Sequence, residues 1–164
     1  GESTATMAEA TLTLADEQAT AQFGAALATA CQGGDIILLD GPLGAGKTTL
    51  ARAMVQALLG ADETVPSPTF TLVQQYGLPS GAELFHFDLY RLEDPGELVE
   101  LGWEAVGGPD VIALVEWPSR LGAMPAGNVL HLQIAPTSSG DQRQVQLHGH
   151  GDWGNRIGDL IAGR

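Results

Sequence analysis

The chain has 164 residues, 44% of them hydrophobic, and its 20 acidic and 7 basic residues give a formal net charge of −13. Length and apolar fraction indicate a folded domain rather than a disordered chain. The acidic excess disfavours independent binding of RNA or DNA, because such a surface repels phosphate backbones. No apolar run reaches the roughly eighteen residues of a membrane-spanning helix, so we expect no membrane association.

The ends of the chain and its one cysteine set the expected organisation. Residues 1–6 are interpreted as a tag remnant or loose tail before Met7, and residues 7–164 as a single domain. The N-terminus lacks the basic flank and apolar core of a secretion signal, so a cytoplasmic location is the default expectation. Cys31 stands alone, which excludes an internal disulfide, and is interpreted as a small buried hydrophobe on a helix.

The first sixty residues predict strand, helix, strand, loop and helix in that order. Alternation over residues 11–14 predicts a short edge strand, and a helix follows with Asp16 as its cap. The apolar run within residues 35–40 predicts a buried central strand. A second helix is expected over about residues 47–59, ended by Gly60.

Beyond residue 60 the pattern is richer in strands. Strands are predicted over residues 70–76, 83–90, 111–117, 128–135 and 143–148. Helices are predicted over residues 94–101 and 152–161. We find no internal repeat and no linker long enough to divide the chain.

A phosphate-binding loop directly follows the buried strand. Residues 41–48 read Gly-Pro-Leu-Gly-Ala-Gly-Lys-Thr, which fits the pattern G-x-x-x-x-G-K-[ST], and Lys47 is the only lysine in the chain. Backbone amides of such a loop point into one concavity, and the N-terminus of the next helix favours an anion. Strand, loop and helix together predict an α/β fold, a P-loop NTPase-like three-layer sandwich with a mixed central sheet.

The loop residues are expected to bind a nucleoside triphosphate with Mg²⁺. The predicted nucleotide-binding residues of this segment are Leu43, Gly44, Ala45, Gly46, Lys47, Thr48 and Thr49. Lys47 is expected to contact the β and γ phosphates and the Thr48 hydroxyl to ligate Mg²⁺. The structural alternative is a glycine-rich turn that opens an ordinary helix.

Two carboxylates, one at the end of a predicted strand and one within a predicted strand, are candidates for metal binding and catalysis. Residues 111–115 are apolar and end in Glu116, the form of a Walker B strand, whose acid reaches the metal or its water. Asp88 alternates with apolar neighbours, so it lies on the same strand face as His86 and Tyr90 and can meet the metal or orient the attacking water. Lys47, Asp88 and Glu116 are therefore the candidate catalytic residues.

Structural alternatives remain open for these positions. Glu116 could cap a helix near Pro118, and Asp88 could be a hydrogen-bonded structural carboxylate. His86 is interpreted as a histidine satisfied within the sheet. Tyr90 and Arg91 fit packing and surface charge equally well.

Missing motifs narrow the class of nucleotide-binding protein. With a single lysine at position 47, no N-K-x-D base-reading motif can exist, which excludes a GTPase of that type, and no D-x-x-G segment is present. No L-S-G-G-Q-like signature of a transporter ATPase occurs. Six arginines are scattered along the chain rather than gathered in a lid, which disfavours a nucleotide kinase.

Four segments together resemble one family. They are G-P-L-G-A-G-K-T-T at residues 41–49, S-P-T-F-T-L-V at 67–73, H-F-D-L-Y-R-L at 86–92 and V-E-W-P at 115–118. The combination resembles the bacterial TsaE (YjeE-type) ATPase family, over about residues 12 to 135. One position departs from the family pattern: Pro42 stands where the family usually has aspartate, and it removes one backbone donor.

The resemblance implies a small Mg²⁺-dependent P-loop ATPase that serves the making of N6-threonylcarbamoyladenosine at tRNA adenosine 37. Because no arginine is an obvious finger, we expect slow hydrolysis alone and faster hydrolysis with partners. The resemblance implies a TsaD-type transferase and a TsaB-type protein as partners, with tRNA touched only indirectly. It also implies Thr48 and Glu116 as magnesium-site residues and Asp88 as a residue needed for hydrolysis. Further residues implied are Ser67 and Thr69 as a switch, and Glu17 and Thr20 near the nucleotide.

Two rival functions stay open from the sequence. The first is a nucleotide-dependent binding module whose ATP state controls assembly of a complex, with incidental hydrolysis. The second is a small-molecule kinase, which the absence of an arginine lid disfavours.

Overall fold

A seven-stranded mixed sheet forms the centre of the computed structural model, which describes residues 7–42, 44–60 and 72–162, with only the backbone for Met7. The strands are β1 (Met7–Leu14), β2 (Ile36–Asp40), β3 (Val73–Gly77), β4 (Glu83–Asp88), β5 (Val111–Glu116), β6 (Val129–Pro136) and β7 (Arg143–His150). The helices are α1 (Glu17–Ala30), α2 (Lys47–Leu59), α3 (Trp153–Ala162) and three 3-10 helices, Pro95–Leu101, Trp103–Ala105 and Pro118–Leu121. The expectations for residues 1–6, Leu43, Ser67 and Thr69 lie outside the described residues.

The strand order is β1-β7-β6-β2-β5-β4-β3. Strand β2 lies between β5 and β6 and is parallel to both, and β4 is parallel to β5. The pairs β1–β7, β6–β7 and β3–β4 are antiparallel. The predicted α/β fold with a mixed central sheet is therefore confirmed.

Both faces of the central strands are covered, which gives three layers. In β2, Ile37 and Leu39 pack in an apolar cluster that includes side chains of α1, α2 and α3. Ile36 and Leu38 pack on the opposite face against residues of the 3-10 helices. This double coverage explains why β2 is a continuous apolar run.

Helices α1 and α2 pack closely against each other on the first face. Asp16 caps α1 by accepting a hydrogen bond from the amide of Ala19 over 2.8 Å, as predicted. A Cβ atom at Gly24 would lie 2.7 Å from the carbonyl oxygen of Leu50, so the helices approach at a position that has no room for a side chain. This contact fixes α2, and with it the loop that precedes α2.

A buried ion pair stabilises the end of the sheet opposite the phosphate loop. Arg156 donates to both carboxylate oxygens of Asp35 over 2.6 and 2.9 Å and lies 4.0 Å from the ring centroid of Trp153. Cys31 lies half-buried beside this pair at the end of α1, and burial, with Asp35, raises the pKa of its thiol. The thiol packs against the apolar cluster, in agreement with the interpretation of Cys31 as a small hydrophobe.

The structure differs from the predicted elements in three places. Strand β1 begins at Met7 rather than residue 11, because all eight of its residues pair with β7. The helix over residues 94–101 is a 3-10 helix, Pro95–Leu101, which ends at Gly102 with φ of 90°. Strand β4 ends at Asp88, so Tyr90 does not belong to it. His86 is buried within the sheet, in agreement with its interpretation as a histidine satisfied there. None of the helices in the described part of the chain has the length and hydrophobicity that crossing a membrane requires.

Candidate functional site

A cleft of about 450 Å³ opens where the phosphate loop follows β2 and where β4 and β5 end. Ligands of α/β proteins bind at this carboxyl edge of the parallel strands. Predicted site residues that line the cleft are Glu17, Gly44, Gly46, Lys47, Thr48, Thr49, Asp88 and Glu116. Residues whose place there was not predicted are Leu72, Tyr90, Arg91, Trp117 and Arg143.

The start of α2 is shaped to receive an anion. Gly44 and Gly46 have φ of 79° and 99°, a left-handed conformation that favours glycine. Among the described residues no side chain caps α2, and its first turn holds no acidic residue, in contrast to α1 with its Asp16 cap. In that part of the chain the first amides of α2 therefore have no side-chain acceptor, which suits them to phosphate oxygens.

Lys47 lies in the floor of the cleft with 5% of its surface exposed. Its Nζ donates to the carbonyl of Gly41 and lies 3.3 Å from the ring centroid of Trp117. Burial lowers the pKa of Lys47, and the carboxylates of Glu116, Asp40 and Asp88 raise it in opposition. The ammonium is thus held at the cleft by an aromatic face and a carbonyl, contacts that phosphate oxygens could replace.

Trp117 has an unusual backbone for its size. Its φ of 60° is the only positive φ of a non-glycine residue in the described part of the chain. A left-handed conformation costs a bulky residue roughly 1–2 kcal/mol. Its indole contacts both Lys47 and, at 4.8 Å between ring centroids, Tyr90. This places an aromatic pair at the cleft, which spacing alone did not reveal.

The two predicted carboxylates meet at the ends of neighbouring strands. Asp88 and Glu116 are direct partners in the parallel pairing of β4 and β5. Burial raises the pKa of Asp88, and Glu116 adds to that rise, whereas the amide of Tyr90, His86 and Lys47 lower it. Glu116 is 7% exposed, and its Oε2 lies 2.7 Å from His86 Nε2.

The oxygen donors of the cleft fit Mg²⁺ bound together with phosphates. The Thr48 hydroxyl and the carboxylates of Asp88 and Glu116 line the same cleft. They are the hard donors that Mg²⁺ prefers, and Mg²⁺ commonly takes one or two carboxylates plus substrate phosphates and water. Within the described residues no cluster of three or more His, Cys, Asp or Glu is placed to hold a metal by itself.

Arg143 holds the phosphate loop from β7. Its Nε donates to the carbonyl of Ala45 over 2.8 Å, and its Nη1 donates to the carbonyls of Gly140 and Gln142. No role was predicted for Arg143 from the sequence. The sequence does contain a signal for such a role. Arg143 lies on the same strand face as buried Val145 and Leu147, where an arginine without hydrogen-bond partners would destabilise the fold.

Two residues expected near the nucleotide are placed differently from each other. Glu17, at the start of α1, lines the cleft. Thr20 is buried one turn further on, and its hydroxyl donates to the carbonyl of Asp16 over 3.2 Å.

Pro42 is exposed, and its carbonyl accepts the amide of Ala45 over 3.2 Å, so the loop turns tightly despite the missing donor.

Comparison with known proteins decides the family. The model of the family described as threonylcarbamoyl adenosine biosynthesis protein TsaE matches residues 14–145. The chain belongs to the TsaE family. All residues of the cleft fall within the matched segment.

Relatives of known sequence and structure agree with membership in the TsaE family. The chain is 39% identical over 123 residues to the tRNA threonylcarbamoyladenosine biosynthesis protein TsaE of Haemophilus influenzae, across 74% of this chain and 75% of that protein. It is 41% identical over 105 residues to the protein of the same name from Rickettsia conorii, across 64% of this chain but only 59% of that protein. The crystal structure of YdiB from Bacillus subtilis shares the fold, with a TM-score of 0.76 and 23% identity over 95% of this chain and 96% of that one.

Proposed function

We propose that this TsaE-family chain is a Mg²⁺-dependent ATPase that supports threonylcarbamoylation of tRNA adenosine 37 by cycling a complex of a TsaD-type transferase and a TsaB-type protein. One observation carries the proposal: Lys47, Thr48, Asp88 and Glu116 meet in one cleft at the uncapped start of α2. A side-chain cap on α2 would have favoured an ordinary helix after a glycine-rich turn. A hydrogen bond to Glu116 from the helix near Pro118 would have favoured a capping role for that carboxylate.

Lys47, Thr48, Asp88 and Glu116 each have a role in this proposal. Lys47 and the loop amides would hold the β and γ phosphates, and Thr48 and Glu116 would hold Mg²⁺. The metal, when bound, neutralises charge on the phosphates. Asp88 orients the attacking water, for which its position beside Glu116 at the strand ends is suited.

The proposed dependence on partners rests on Arg143, one of two arginines among the described residues that line the cleft. Arg143 donates to the carbonyls of Ala45, Gly140 and Gln142, so it is committed to the loop rather than to the charge that develops in phosphoryl transfer. We therefore expect slow hydrolysis by the chain alone and faster hydrolysis with its partners. The net charge of −13 supports contact with tRNA only through those partners.

The decisive experiment compares wild type, Lys47→Ala and Glu116→Ala in reconstituted tRNA modification with purified partners. Both variants are expected to lose sustained modification, whereas Arg52→Gln, an exposed position on α2, should behave as wild type. Calorimetric titration with ATP and Mg²⁺ tests the site directly. Absence of binding by folded wild-type protein contradicts the proposal.

An aromatic pair supports a second candidate, a nucleotide-dependent binding module. Tyr90 is 42% exposed and packs on Trp117, which in turn covers Lys47, so a partner that contacts Tyr90 could sense the state of the cleft. Asp88→Asn separates the two candidates. If the chain is a binding module, Asp88→Asn should bind the partner proteins and support tRNA modification. If an ATPase cycle is required, the variant should bind the partner proteins without sustained modification.

A further inference from the structure

His86 lies directly behind Glu116 as seen from the cleft. It is on β4, which is parallel to β5, and it is the register partner of Leu114, two residues before Glu116. Leu84 and Leu114 belong to the apolar cluster on the α1 and α2 side, so His86, two residues after Leu84, faces that side too. The imidazole therefore shares a sheet face with the carboxylate it contacts.

The contact between the two side chains is short and buried. His86 is 4% exposed and Glu116 is 7% exposed, and His86 Nε2 lies 2.7 Å from Glu116 Oε2. His86 Nδ1 is buried and has no hydrogen-bond partner in the described part of the chain. One ring nitrogen thus has a partner and the other does not.

This arrangement selects one tautomer of the ring. A carboxylate oxygen only accepts hydrogen bonds, so the nitrogen that faces it must carry the proton. A proton on Nδ1 instead would set the lone pair of Nε2 against Oε2 and bury an N–H without an acceptor, two penalties at once. A neutral ring that faces an ionised Glu116 therefore donates from Nε2 to Oε2.

We propose that His86 is a positioning residue that holds Oε2 of Glu116 and so presents the rest of the carboxylate to the metal of the cleft. The inference rests on the proposed function, in which Glu116 helps to hold Mg²⁺. A carboxylate with both oxygens unrestrained could also turn toward Lys47, whose ammonium it already influences. The hydrogen bond from His86 removes that freedom, as partners of metal ligands generally do.

Packing alone does not require a histidine at this position. Leu84 and Leu114 on the same face are fully buried and apolar, so a leucine at position 86 would keep these contacts and lose the hydrogen bond to Glu116. A purely structural role predicts that replacement changes stability and nothing else. A positioning role predicts a change in the use of Mg²⁺ by a protein that remains folded.

The test compares His86→Leu, which removes the donor, with His86→Gln, whose amide can donate near the place of Nε2. ADP binding is measured by calorimetry in a Mg²⁺ titration, and Mn²⁺ bound with ADP is measured by electron paramagnetic resonance. His86→Leu should need roughly 10-fold more metal or worse. Affinity for ADP without metal should stay unchanged, and His86→Gln should recover much of the loss.

Ring ¹⁵N chemical shifts of the nucleotide-free wild-type protein give a readout that is independent of metal and activity. The proposal expects the Nε2–H tautomer for His86, and an Nδ1–H tautomer overturns it. If His86→Leu fails to fold, His86→Asn replaces it, because its shorter amide reaches the place of Nδ1 and not of Nε2.

The outcomes separate this inference from the proposed function. Wild-type metal dependence in a folded His86→Leu or His86→Asn variant overturns the inference alone. Equal loss in His86→Gln and the donor-free variant also overturns it. A wild-type protein that binds neither ADP nor ATP overturns both proposals.

Discussion

Arg143 on β7 and Ala45 in the phosphate loop are joined by a hydrogen bond of 2.8 Å, although 98 residues separate them in sequence. The guanidinium is also committed to the carbonyls of Gly140 and Gln142, which fixes its position on the hairpin. The C-terminal hairpin thereby holds the loop that is proposed to bind the phosphates.

We predict that Arg143→Gln weakens ATP binding about tenfold, because a hydrogen bond from a charged donor contributes roughly 1.5–3 kcal/mol and 1.4 kcal/mol corresponds to a factor of ten. Isothermal titration calorimetry with ATP and Mg²⁺ measures the change. Arg52→Gln, at an exposed position on α2, is the charge-matched control and should bind as wild type does. Equal affinities for the two variants would show that the loop keeps its shape without Arg143.

We predict that Lys47→Met abolishes detectable ATP binding without lowering thermal stability at pH 7. Burial lowers the pKa of Lys47 below its usual value of 10.5, so folding disfavours its charged form relative to the unfolded chain. A group with a lowered pKa stabilises the fold above its unfolded pKa and loses that contribution as pH falls through its folded pKa. At pH 7 the buried ammonium therefore lowers the stability of the folded protein, and methionine at position 47 removes this destabilisation. A clear fall in the melting temperature of Lys47→Met would contradict this account.

We predict that Asp88→Asn raises the melting temperature at pH 7. Burial is the main cause that raises the pKa of Asp88 above 3.8, so its ionised form destabilises the fold. A carboxyl group whose pKa is raised by folding stabilises the folded protein at low pH, and this contribution is lost as pH rises through its folded pKa. The advantage of Asp88→Asn should therefore shrink as pH is lowered from 7 toward 4. Melting curves across that range check it, with Asp159→Asn, exposed on α3, as the control.

We predict that Gly24→Ala destabilises the protein by about 1–3 kcal/mol, the usual cost of overpacking. Its Cβ would lie 2.7 Å from the Leu50 carbonyl oxygen and 3.0 Å from the Ala53 Cβ, so α1 and α2 would have to separate. Gly158→Ala is the matched control, since no atom lies within 4 Å of a Cβ there on α3. That change should stabilise the helix by roughly 0.5–1 kcal/mol. Thermal melts that shift in the same direction for both variants would refute the close-contact explanation.

The parts of the fold that sequence could predict are those whose signals are local. The phosphate loop is a contiguous octapeptide between a buried strand and a helix, so its conformation and the start of α2 followed from residues 41–48. Glu116 was recognisable as the acid that ends an apolar strand, and Asp88 as an acid that alternates with apolar residues. Their meeting in one cleft required only that both strands be parallel neighbours in the sheet.

The remaining features depend on contacts between distant segments, which spacing does not encode. The contact of His86 with Glu116 depends on the register of β4 against β5. The full length of β1 depends on its pairing with β7 at the other end of the chain. The left-handed backbone of Trp117 is favoured by no local signal, because a bulky residue normally avoids that conformation.

The half-buried state of Cys31 has a practical consequence for labelling. Its thiol has a raised pKa, so the reactive thiolate is scarce at neutral pH and maleimides should modify it slowly. A cysteine introduced at Gln56, exposed near the end of α2 that lies away from the cleft, would react first. A single dye attached there could report association with labelled partner proteins by energy transfer. Cys31, the one native cysteine, would not have to be replaced first.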